Sequence, residues 1–115
     1  MPGSNTINYL ELPMADSAAT RAFYEAAFGW SFTEYGPDYL AFAGAGLDGG
    51  FDGARPVGEP GAGPLPVLYH ADLAAAQSAV EDAGGTIAKP IYAFPGGRRF
   101  HFTDPTGNEL AVWSE

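Results

Sequence analysis

The chain has 115 residues, with 14 acidic against 5 basic side chains, a formal net charge of −9 and no cysteine. That length suits one domain with a core that needs no staples, and the missing cysteines exclude disulfides and thiolate metal sites. So acidic a surface repels phosphate backbones, and no apolar stretch approaches the roughly 20 residues that span a bilayer, so neither nucleic acid nor membrane is an expected partner. The opening residues lack a basic region followed by an apolar run, which predicts no signal peptide and a cytoplasmic location.

In chain order, Thr6 to Leu12 is rich in β-formers and Pro13 ends it. Asp16 is a natural N-cap for a helix over 17–28, in which Ala19, Phe23 and Ala26 form an apolar stripe and Gly29 is suited to the left-handed close. Trp30 to Tyr35 alternates aromatic and polar residues, Gly36-Pro37-Asp38 turns the chain, and Tyr39 to Ala43 is the hairpin partner. A short strand is expected around Gly49 to Phe51. Residues 52–64 are rich in Gly and Pro, lack periodicity and read as a linker.

The pattern then repeats. Leu65 to His70 is strand-like, and Asp72 caps a helix with Leu73, Ala76, Val80 and Ala83 on one face, closed by Gly84-Gly85. Thr86 to Tyr92 and Arg98 to Thr103 are strands joined by a loop in which Arg98 and Arg99 are expected to be exposed. A tight turn, Asp104-Pro-Thr-Gly-Asn108, leads into a last strand over Glu109 to Ser114. Asp72 follows Asp16 by 56 residues, and Gly85 follows Gly29 by the same 56. A period near half the chain indicates duplication of one strand–helix–three-strand unit, with module one at about 5–51, the linker at 52–64 and module two at about 65–115 in a single domain.

Two stretches carry a family resemblance: Tyr9-Leu-Glu-Leu-Pro-Met-Ala-Asp16 with Phe23-Tyr24 and Phe28-Gly-Trp30, and Phe100-His-Phe-Thr-Asp-Pro-Thr-Gly-Asn-Glu-Leu110. In this order they resemble the opening and the closing hairpin of the glyoxalase/bleomycin-resistance/dioxygenase superfamily, the vicinal-oxygen-chelate (VOC) proteins. The resemblance implies an α+β fold of two βαβββ modules in tandem, forming curved mixed sheets around a cleft. In metal-dependent members, His, Gln or Glu ligands project into the cleft from the first and last strand of each module.

Mapped onto this chain, those ligand positions fall at Tyr9, Leu65, Ala111 and the stretch Gly49-Gly50-Phe51, with Asp48 and Asp52 only flanking the last. First-row metals favour imidazole and carboxylate donors, so no cofactor is expected and the cleft is predicted to be metal-free. The alternative is a weakly bound divalent cation at Glu11 and Glu109, each two residues from a ligand position and so in phase with it.

The residues expected to line the cleft are Tyr9, Glu11, Phe51, Val67, Tyr69, Glu109 and Trp113, which offer an apolar, aromatic surface with acidic handles. His70 and His101 are both out of phase with the apolar residues beside them and read as packed or surface histidines. The expected function is binding of a small molecule, cationic or aromatic and antibiotic-like, by a homodimer. The alternative is a lyase-, isomerase- or dioxygenase-like enzyme that uses Glu11, Glu109 or Tyr9 for proton transfer.

Overall fold

Asp16 and Asp72 adopt extended backbone angles and accept from the amides of Ala19 and Ala75 at 3.0 and 3.1 Å, so each opens a helix as an N-cap. In the computed structural model, which describes residues 3–115, the chain runs β1 (Tyr9–Pro13), α1 (Ser17–Phe28), β2 (Ser31–Glu34), β3 (Tyr39–Ala43) and β4 (Asp48–Asp52). The second half runs β5 (Val67–Tyr69), α2 (Leu73–Asp82), β6 (Thr86–Phe94), β7 (Gly97–Thr103) and β8 (Glu109–Ser114). The sheets are ordered β1-β4-β3-β2 and β5-β8-β7-β6, with each module's first strand lying parallel beside its last. This is the duplicated βαβββ architecture that the repeat predicts. Among the described residues, no helix is long and apolar enough to cross a membrane.

Two local readings are corrected and one is sharpened. The buried face of α1 is Thr20, Phe23 and Tyr24, while Ala26 is exposed; alanine carries too little apolar area to set a helix's rotation against a tyrosine ring. Of the Gly84-Gly85 pair expected to close α2, Gly84 is the left-handed residue. Gly85 serves packing instead, since a Cβ there would meet Phe23 and Val80, each at 2.7 Å. Residues 53–66 contain no helix or strand, yet they fold against the rest of the chain: the Gly53 amide donates to the Asp38 carbonyl at 2.7 Å, and the Ala54 amide to Asp52 at 2.8 Å.

Strand alternation divides each strand between two faces. Leu10 and Leu12 of β1, Phe51 of β4, Phe100 and Phe102 of β7, and Leu110 and Val112 of β8 enter or pack on one core. Within it, Tyr24 stacks on Trp30 at 4.7 Å and lies 5.1 Å from Phe51, while Phe23 meets Phe102 of the other module at 5.8 Å.

The 104–108 turn fastens the modules together. The Tyr24 hydroxyl donates to Asp104 at 2.8 Å, and the Asn108 amide side chain donates to both Asp104 and the Pro13 carbonyl. The same turn wraps the other Asp104 oxygen with the amides of Thr106, Gly107 and Asn108. Its effect is to hold the end of β1 beside the start of β8, so that Glu11, two residues before Pro13, and Glu109, just after Asn108, open on the same side.

Candidate functional site

On the face away from the core, β1 presents Tyr9 and Glu11, and β8 presents Glu109, Ala111 and Trp113. Glu11 and Glu109 line one cavity of about 490 Å³, with Leu10 and Leu12 at its floor, Lys89 and His101 on the module-two side, and much of 55–66 as its wall. Both carboxylates are within reach of a ligand, their side chains being 35% and 17% exposed. Glu59 adds a third carboxylate to the lining, against the two cations Arg55 and Lys89.

Each carboxylate ends a hydrogen-bonded chain. On module one the Tyr39 hydroxyl donates to Glu11 at 3.2 Å, so the hydroxyl of Tyr9 donates in turn to Tyr39. Partial burial, the Tyr9 hydrogen bond and the Glu11 carboxylate hold the Tyr39 phenol well above its usual range, so it stays a donor. Gly50 makes this arrangement possible, because a Cβ there would collide with the hydroxyl end of Tyr39. Arg55 adds an ion pair to Glu11 at 3.7 Å.

On module two His101 Nδ1 lies 2.9 Å from Glu109 Oε2, its Nε2 lies 2.9 Å from the Tyr92 hydroxyl, and Arg99 Nε donates to that hydroxyl. The Arg99 guanidinium also sits over the rings of Tyr92 and Phe94 at 5.6 Å.

His101, read from the sequence as a packed or surface histidine out of phase with Phe100 and Phe102, has a place in the site that this reading did not give it. It is buried, yet it lines the cavity. The signal was present: Phe100 and Phe102 are core, so the residue between them must face the cleft. Tyr92 was harder to place. Residues 89 and 92 should face opposite ways, but they pair with His101 and Arg99, so β6 carries one extra residue there, beside Pro90 on an edge strand. That bulge turns both side chains toward the cleft. Arg99, expected to be exposed, is drawn in with them. His70 sits elsewhere, its Nδ1 accepting from the Asp72 amide at 2.9 Å.

Phe51, expected in the cleft, is fully buried in the core, because the ring follows the phase of Leu10 and Leu12 rather than that of Glu11. Tyr9, Val67, Tyr69 and Trp113 lie outside the cavity lining, and the first three are 45–53% exposed. The cavity is therefore acidic and walled by Pro and Gly, with the aromatic side chains beyond its edge.

The model of the Glyoxalase/Bleomycin resistance protein/Dioxygenase superfamily matches residues 6–112. The chain belongs to this superfamily. Its structure is similar to that of a glyoxalase-related enzyme from Fulvimarina pelagi, at 21% identity and a TM-score of 0.81 over 96% of this chain and 88% of that one. It is also similar to a glyoxalase/bleomycin resistance protein/dioxygenase family enzyme from Burkholderia phytofirmans PsJN, at 18% identity and a TM-score of 0.77 over 93% and 96% of the two chains. A third similar structure is TnmS3, an antibiotic binding protein from Streptomyces sp. CB03234, at 21% identity and a TM-score of 0.71 over 99% and 98%. At these identities the likeness speaks for the fold alone. A search of the curated proteins finds no match.

At the positions that the family resemblance maps to the ligands of metal-dependent members, the residues present do not fit a metal. Ala111 and Leu65 have no donor atom, Phe51 points into the core, and Gly50 is covered by a tyrosine ring. Among the described residues no three His, Asp or Glu side chains converge as a metal site requires.

Proposed function

We propose that this VOC-superfamily chain is a metal-independent small-molecule-binding protein whose cleft holds a ligand by a cationic group placed between Glu11 and Glu109. The observation that carries this reading is that two carboxylates from different modules line one cavity, each already oriented by its own hydrogen-bond chain. Preorganised acceptors lose little freedom when a cation arrives. The acidic surface steers cations toward the cleft. TnmS3 shares the fold and is described as antibiotic binding, so a binding role on this scaffold has a parallel.

The aromatic pair Phe94 and Trp113 lies on the sheet face that carries Glu109, and we assign it to the planar portion of the ligand. A second reading, an enzyme that uses Glu109 as proton acceptor, draws on the Tyr92–His101–Glu109 chain, because a hydrogen-bonded carboxylate at a cavity wall is also the arrangement of a general base. We further propose that one domain comprises the two modules and that two chains pair as a homodimer, since Tyr9, Val67 and Tyr69 leave apolar rings and methyls exposed on or beside the edge strands β1 and β5.

The test is a thermal-shift comparison of benzamidinium with benzoate, which share shape and differ in charge, alongside zinc, nickel and manganese. Stabilisation by benzamidinium alone supports the reading, amounting to about 2.7 kcal/mol at a hundredfold excess over Kd. Stabilisation by a metal or by benzoate overturns it. Turnover of a ligand that stabilises the fold would favour the enzyme reading.

A further inference from the structure

The hydrogen bonds around His101 specify where its proton sits. A guanidinium Nε–H can only donate, so the Tyr92 oxygen accepts from Arg99. The single Tyr92 hydrogen is then available to His101 Nε2, 2.9 Å away. A nitrogen that accepts is unprotonated, so the ring hydrogen is on Nδ1 and points to Glu109 Oε2 at 2.9 Å. An imidazolium would instead leave Tyr92 accepting from two donors with its own hydrogen facing no partner among the described residues.

We propose that Arg99 and Tyr92 are positioning residues that hold His101 as the neutral Nδ1–H tautomer, so that the His101–Glu109 pair keeps a full negative charge turned toward the cavity for a ligand's cationic group. A protonated His101 would neutralise Glu109 and remove half of the acidic pair on which the proposed function rests. Lys89 pairs with His101 from β6 and lines the same cavity.

The second histidine is an internal reference with the opposite assignment. His70 Nδ1 accepts from the backbone amide of Asp72, so its hydrogen is on Nε2.

The experiment is a long-range ¹H–¹⁵N correlation spectrum of the two imidazoles in uniformly labelled full-length protein. The wild type should show His101 with hydrogen on Nδ1 and His70 with hydrogen on Nε2. In Tyr92→Phe and in Arg99→Met, the His101 Nε2 signal should leave the range of an unprotonated nitrogen while His70 stays in place. Arg99→Lys, which keeps a donor at that position, should restore the wild-type pattern. Benzamidinium affinity should fall about tenfold in the two disrupting variants, the order expected when a charge-assisted contact is lost.

A wild-type His101 with hydrogen on Nε2 would overturn the assignment, as would a His101 pattern unchanged in both disrupting variants. Should Tyr92→Phe fail to fold, the wild-type spectrum and Arg99→Met still decide. Should the wild type not bind benzamidinium at all, the cationic-site reading fails while the spectra still judge the tautomer.

Discussion

Burial, the charge of Asp104 and the hydrogen bond to it hold the Tyr24 phenol well above its usual range. The folded state therefore favours the neutral phenol, and the stability this contributes is fully present below the unfolded value near pH 10 and is lost as pH rises through the folded value. Melting temperature should accordingly fall between pH 9 and pH 11 in the wild type. Tyr24→Phe should start lower at pH 8 but show a shallower fall, which thermal scans across that range would measure. Equal slopes would mean that Tyr24 ionises as easily in the folded chain as in the unfolded one. Gly61 sets a second test at the scale of single atoms. It has φ +80°, and a Cβ there would lie 3.1 Å from Glu109 Oε1. Gly61→Ala should weaken benzamidinium binding by crowding that oxygen, with a stability loss of about 1 kcal/mol from the left-handed backbone. Calorimetry and urea denaturation read the two effects separately.

At the scale of elements, the two helices serve the core and the strands serve the site. Asp72→Ala should cost about 1 kcal/mol in urea denaturation by removing the α2 cap, and should leave ligand affinity unchanged, because α2 contributes nothing to the cavity wall. A loss of affinity equal to the loss of stability would contradict that separation. The helix caps, the hairpins and the 56-residue repeat were legible in the sequence because each rests on local chemistry: an Asp before an apolar run, a Gly after it, alternation along a strand. What was not legible depends on partners distant in the chain. The β6 bulge brings Tyr92 and Lys89 to the same face, and no alternation rule places it in advance. Phe51 was misplaced because β4 carries one aromatic side chain after two glycines, too few to show its phase. The Gly/Pro segment looked like slack because its order comes from packing over the cleft rather than from any periodicity of its own.

For the whole molecule, the turn at 104–108 converts two similar modules into one site by fastening β1 to β8. Duplication thus supplies two equivalent sheets, and the asymmetry between them supplies the chemistry: a Tyr-Tyr-Glu chain on one side, an Arg-Tyr-His-Glu chain on the other. The proposed homodimer would cover the exposed Tyr9, Val67 and Tyr69, so light scattering should give twice the monomer mass, and Val67→Glu should shift it toward the monomer mass. A wild type that scatters as a monomer would remove the dimer from the account without touching the cavity. The central claim is that Glu11 and Glu109 together hold a cation, and the most direct measurement is isothermal titration of benzamidinium into the wild type, Glu11→Gln, Glu109→Gln and the double variant. The account predicts one site per chain, about tenfold weaker binding in each single variant and no measurable binding in the double variant. Unchanged affinity in Glu109→Gln, or wild-type binding of benzoate in place of benzamidinium, would contradict it.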